Sequence, residues 1–326
     1  MRTGKELLIA SKDFAKEQRW RSWLHFWTTL TLLVGLIVVA ALPLSLLIRI
    51  PASLLAGLVC VRMFIIFHDY QHHAILNNSK IASVILWIYG IFTLSPPSVW
   101  HRSHSHHHKH NSKNFGPNVG SFPVMTTDYY RDANWIERFG YLVTRHPLTI
   151  VFGYVTIFMW GMSIRPFVQH PGRHFDGGIA VLNHFVLTTT LGFTLGPTSV
   201  LLAVVLPLFV ACLIGGYLFY AQHNFPSAEL LPDSEWSHVD AALKSSSFMR
   251  MGPILNWFTG NIGFHHVHHM NALIPFYRLP EAMEALEELQ TPGETSLHPR
   301  DIRACLSLKL WDQTEGQFVP LSKVSS

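Results

Sequence analysis

Residues 23–48, 52–76 and 179–220 are apolar over lengths that reach or exceed the ~20 residues a helix needs to cross hydrocarbon. The last run is long enough for two crossings, with a break expected at residues 192–199. Composition agrees, because 49% of the residues are hydrophobic and only 13% are charged. Two further apolar runs are weaker. Residues 81–94 are too few to span, and Pro96-Pro97 ends them; residues 148–164 are borderline. The expected fold is all-α: a polytopic helical membrane protein of about four spans, carrying a cytoplasmic helical cap.

Charge orients the spans. The first 22 residues carry Arg2, Lys5, Lys12, Lys16, Arg19 and Arg21 and lack the apolar core of a cleavable signal peptide. The positive-inside rule places this leader in the cytoplasm. Residues 77–147, with Lys80, Arg102, Lys109, Lys113, Arg131, Arg138 and Arg145, belong on the same side, two crossings later. The net charge of +4 then reports orientation and not nucleic-acid binding. The expected organisation is a basic N-terminus (1–22), a membrane domain (23–223) and a cytoplasmic cap (224–326) with helical pieces such as 280–289. Cys60, Cys212 and Cys305 match no disulfide or zinc spacing.

The chain holds 21 histidines, and thirteen of them lie in three short clusters at residues 68–73, 101–110 and 265–269. The first has the spacing H-x3-H-H; His104, His107 and His108, and then His265, His268 and His269, repeat H-x2-H-H. At this histidine frequency a given H-x2-H-H pattern is expected about 0.1 times per chain, so the clusters are not accidental. Neutral imidazole is the common nitrogen ligand of first-row metals, and residues at i, i+3 and i+4 project from one side of a helix. His68 and His72 share a face, whereas His73 points about 140° away. His104, His107 and His108 converge, as do His265, His268 and His269. His223 joins them as a ninth candidate, because the last span must return the chain to this side. His73, His101 and His266 are reserve or outer positions; His106 and His110 read as solvated.

For the third cluster to meet the others, an even number of crossings must separate His108 from His265. The hairpin in 179–220 supplies two, so residues 148–164 are read as re-entrant or interfacial. Nine histidines overfill a single zinc and suit two metals with four or five nitrogens each. No cluster contains the Glu-x-x-His pair of soluble di-iron bundles. The residues therefore point to a two-metal, all-nitrogen site beside the bilayer.

These clusters, their order and their distance from paired spans resemble the membrane fatty acid desaturase superfamily. Trp100-His-Arg-Ser-His104-Ser-His-His107-His108 is similar to its second histidine box. The run from Gly263 to Leu279, containing His265-His-Val-His268-His269 and Pro275-Phe-Tyr277, resembles the third box of acyl-lipid Δ12/ω-6 enzymes, and Gln222-His223 is similar to theirs. The first box departs, with Tyr70-Gln71 where those enzymes usually have Cys-Gly, and the loop between the second and third boxes is short. The resemblance implies two non-haem iron ions, O2, a lipid acyl substrate and a separate electron donor of the ferredoxin or cytochrome b5 type. It implies removal of two hydrogens from adjacent methylenes of an acyl chain. His170-Pro-Gly-Arg is not a cytochrome b5 haem motif, because the fourth residue differs and no haem domain surrounds it.

Two other readings fit some of these features. A di-iron hydroxylase or ketolase of the same superfamily, acting on carotenoid, alkane or sphingolipid, shares the boxes and differs in product. A metal transporter would explain the run at 101–110, but the spans lack the ladder of ionisable residues that a cation path needs.

Overall fold

In the computed structural model, which describes residues 2–113, 121–232 and 234–324, four helices are long and apolar enough to cross a bilayer. They are Arg19–Ala41, Leu46–Gln71, Phe175–Leu195 and Pro197–Ala221, and are called here the first to fourth spans. The break between the third and fourth falls at Gly196, within the expected interval, at a φ of 85° that glycine tolerates without steric cost. The first break differs from expectation. It lies at residues 42–45 and not around Pro51. Leu42 is extended, the conformation favoured before a proline, and the Ser45 side chain caps the second span by accepting from the Leu47 amide at 3.3 Å. Pro51 sits inside that span, near its start, where a lost amide costs one hydrogen bond without ending the helix.

The two hairpin turns are fastened to each other. Arg49 is buried; its Nε donates to the Ala40 carbonyl at 2.9 Å and its guanidinium to Ser199 Oγ at 2.9 Å, while Ser199 Oγ donates to the Ala41 carbonyl. A cation at this depth is tolerated because neutral acceptors surround it. Arg62, buried in the second span, plays a similar part toward the other end. It donates to Thr29 Oγ1 of the first span and to the Trp257 carbonyl, and its guanidinium lies 4.3 Å from the Trp257 ring. The spans are thereby tied to the segment that precedes the third histidine cluster.

Residues 81–94 fall in a helix, Lys80–Phe92, followed after a 91° bend by the helix Pro97–His110. Pro97 occupies the first turn of the second helix, where its missing amide hydrogen is no loss. Residues 148–164 form a short helix, Pro147–Val151, and then a π-helical run, Tyr154–Ile164, packed against the third and fourth spans. Tyr154 Oη bonds His184 Nε2 at 2.9 Å across that contact.

The C-terminal region contains more than helices. Met125–Thr126 pairs in parallel with Leu308–Asp312, which pairs antiparallel with Gln317–Pro320, and Phe248–Arg250 pairs in parallel with Glu294–Ser296. These short strands left no clear alternation in the sequence. The expected helix 280–289 appears as Leu279–Ala285 followed by a 3-10 turn, Glu287–Leu289. Buried Arg145 gathers this region onto the membrane helices through the Pro123 and Leu308 carbonyls, Tyr220 Oη and Asn224 Oδ1.

Candidate metal centre

Three helix ends and one loop converge at one end of the bundle. His68 and His72 lie at the C-terminal end of the second span, and His223 follows the C-terminal end of the fourth. The helix Pro97–His110 supplies the second cluster and the short helix His265–Met270 the third. All nine singled-out histidines enter two groups, in each of which one ligand atom per residue lies within 4.8 Å of the others. His68, His72, His104, His108 and His268 form the first group; His107, His223, His265 and His269 form the second.

The partition follows helical geometry more finely than spacing alone suggested. Residues i and i+4 are offset by about 40°, whereas i+3 falls about 60° to the other side. The i,i+4 pairs His68/His72 and His104/His108 stay together in the first group, and His265/His269 stay together in the second. The i+3 residues cross over: His107 joins the second group and His268 the first. Each box thus faces both groups.

Within the groups, Nε2 atoms approach closely. His68 to His104 is 2.8 Å, His104 to His108 is 3.1 Å and His108 to His268 is 3.0 Å. In the second group His107 lies 3.0 Å from His223 and 3.2 Å from His269, and His265 lies 2.9 Å from His223. A metal about 2.1 Å from each nitrogen sets ligands at right angles about 3 Å apart, so these separations fit neighbouring positions on one ion. The donor set fits in a second respect: His72 Nε2 is buried without a hydrogen-bond partner. A buried polar atom without a partner needs an explanation, and a bound cation supplies one.

Burial also settles the protonation these side chains prefer. Loss of solvent, reinforced by neighbouring imidazoles, pushes His104, His107, His108, His265, His268 and His269 well below the ordinary histidine range. Burial brings His223 down to about 4, although its bond to a backbone carbonyl opposes the shift. Neutral rings keep a lone pair for a cation.

Surrounding groups orient several rings. His68 Nδ1 lies 3.0 Å from Asp69 Oδ1, while Asp69 Oδ2 accepts from the Phe276 amide at 2.7 Å. His223 Nδ1 faces the Ser245 carbonyl at 3.1 Å, and Trp100 stacks on His104 with ring centroids 4.7 Å apart. Partners of this kind on the second nitrogen fix tautomer and ring angle at metal sites. Asp69 was not singled out from sequence, although a signal existed: it is the only carboxylate in residues 52–76. The reserve positions lie outside both groups. His73, at φ 61°, turns to Asn77; His101 is exposed; His266 is buried against the Leu289 carbonyl at 3.0 Å. His106 and His110 stack on each other away from the groups.

A cavity of about 820 Å³ leads from the histidines into the membrane helices. His68, His104 and His265 line it at one end, and Cys60, Phe64, Ile157, Phe158, Leu208 and Gly215 are among its largely apolar walls. The site therefore opens onto both groups.

The family model for fatty acid desaturase matches residues 44–300, a stretch that contains all three histidine clusters. The chain is 30% identical over 319 residues to a fatty acid desaturase of Bacillus subtilis (strain 168), covering 97% of this chain and 90% of that protein. An sn-2 acyl-lipid omega-3 desaturase (ferredoxin), chloroplastic, of Helianthus annuus is 25% identical over 241 residues, 68% of this chain and 52% of that one. An omega-6 fatty acid desaturase, endoplasmic reticulum, of Brassica juncea is 24% identical over 257 residues, 72% and 64% of the two chains. The chain thus spans about half the length of the chloroplast relative and under two thirds of the Brassica one. Taken with the membrane helices and the histidine groups, these matches show that the chain belongs to the fatty acid desaturase family and is an enzyme that desaturates fatty acids.

Proposed function

We propose that this enzyme introduces a double bond into a lipid acyl chain by O2-dependent dehydrogenation at two non-haem iron ions. The observation that carries the reading is the pair of histidine groups at the head of a long apolar cavity. His68, His72, His104, His108 and His268 would hold one ion, and His107, His223, His265 and His269 the other. Bound iron would supply the redox chemistry that passes electrons to dioxygen. The overall balance needs a carrier. Two hydrogens leave adjacent methylenes with two electrons, the carrier gives two more electrons, two protons come from water, and O2 becomes two waters.

The protein's own residues supply position and dryness. An acyl chain offers no polar handle near the reacting carbons, so cavity walls must set which methylenes meet the site. Phe64, Phe158 and Phe219 keep that path apolar, and Asp69, Ser245 and Trp100 orient the rings of His68, His223 and His104 respectively. The electron donor is a separate ferredoxin or cytochrome b5 type protein; the name of the Helianthus relative specifies ferredoxin. The basic leader supports a cytoplasmic N-terminus (1–22), and two crossings return the chain to that side. With the membrane domain at 23–223 and the cap at 224–326, both histidine groups are then cytoplasmic.

Cells expressing the chain should accumulate unsaturated acyl chains that a His268→Ala control lacks, as read by gas chromatography–mass spectrometry with double-bond localisation. Hydroxylated or keto products would instead establish the oxygenase alternative. A second outcome probes the cavity. Gly215 lies eight residues before His223 on the fourth span, about 12 Å along the helix, and its added Cβ would meet only Phe158 at 3.9 Å. Gly215→Leu should shift products toward shorter acyl chains about threefold or more. An unchanged chain-length profile would count against this cavity as the acyl site.

A further inference from the structure

The helix Pro97–His110 has a second face that the ligand role leaves unused. His104, His107 and His108 are buried, whereas Arg102, Lys109 and His110 are exposed, and Lys113 is exposed just beyond the helix. Arg102, Lys109 and Lys113 take part in no ion pair among the described residues, and Lys113 rests over the Trp236 ring at 4.1 Å. Arg102 and Arg173 both act on the charge of His174, against the buried Asp176 carboxylate beside it. Along the chain no aspartate or glutamate occurs between Asp69 and Asp128, an interval that holds Lys80, Arg102, Lys109 and Lys113, and the carboxylate that folding brings to the start of this helix, Asp176, is buried and accepts from the Ser98 amide and hydroxyl.

From this arrangement, and resting on the desaturase reading above, we infer that the outward face of Pro97–His110 is where an acidic one-electron carrier protein of the ferredoxin kind docks. Three observations point there. An unneutralised cationic surface attracts and orients an acidic partner. The same helix carries ligands for both histidine groups on its inner side, so a helix about 10–12 Å across separates the seated carrier from the imidazoles. Finally, the exposed residues of this face are polar. A surface built for lipid carries apolar side chains as well, as the helix Trp135–Thr144 does with Trp135, Ile136 and Phe139 exposed.

The test uses iron-loaded protein in nanodiscs of neutral phosphatidylcholine, with a plant-type [2Fe–2S] ferredoxin as the probe. Arg102→Glu combined with Lys109→Glu should raise the ferredoxin Kd about tenfold or more at low ionic strength, and KM for ferredoxin in proportion. Turnover driven by a chemical reductant should stay within about twofold. A charge-matched control, Arg131→Glu with Arg300→Glu, should leave the ferredoxin Kd within about twofold. An unchanged Kd and KM in the Arg102/Lys109 variant overturns the docking face. So does a variant that loses affinity for phosphatidylglycerol vesicles while binding ferredoxin normally, because the face would then be a lipid contact. If wild-type protein makes no unsaturated product even with the chemical reductant, the desaturase reading fails on its own, and the Kd comparison still decides the docking face.

Discussion

On the proposed two-iron assignment, His268→Ala is expected to leave the protein inserted in the membrane, lower bound iron from two ions per chain toward one, and reduce desaturation on the order of 10³-fold or more. His268 Nε2 lies 3.0 Å from His108 Nε2 in the five-histidine group and is fully buried. His104→Ala and His107→Ala should behave alike, one in each group. His110→Ala is the contrast. That ring is exposed and bonds the His106 carbonyl, so activity should stay within about twofold of wild type. Metal analysis of the purified variants beside acyl-chain profiling checks both statements. Equal loss from His110→Ala and His268→Ala would remove the geometric basis for the ligand assignment.

Asp69→Leu should come next in size. Its carboxylate holds His68 Nδ1 with one oxygen and the Phe276 amide with the other, so it couples the first cluster to the segment just after the third. Loss of such an orienting partner typically costs 10–100-fold in metal affinity or activity. A stability loss of about 1–3 kcal/mol should accompany it, because the buried Phe276 amide is left without an acceptor. Asp69→Asn keeps an acceptor for that amide and should recover most of the stability. Chelator competition for iron and the thermal midpoint separate the two effects. A lowered midpoint with unchanged iron affinity would make Asp69 a structural tie alone.

Much of this molecule was legible because its signals are local. A run of about 20 apolar residues has few alternatives to a span. The spacing H-x2-H-H states which side chains share one side of a helix. Where local signals competed, sequence reading slipped. Pro43 and Pro51 both lie near the first turn between spans, each with a serine two residues on, and only folding decides that Ser45 and not Ser53 caps the second span. The short strands Met125–Thr126 and Phe248–Arg250 pair with segments some 40 to 180 residues away, and two or three residues cannot display a period.

The sequence by itself pointed to about four spans, to nine histidines that the fold gathers into two groups, and to His73 lying off their face. Only the tertiary structure decided how the nine divide into five and four. An i+3 residue points about 100° from its i+4 neighbour, so which group it joins depends on how its helix is rotated against three others. Asp69 follows the same rule: its value to His68 depends on a backbone amide at Phe276 that folding alone brings to it.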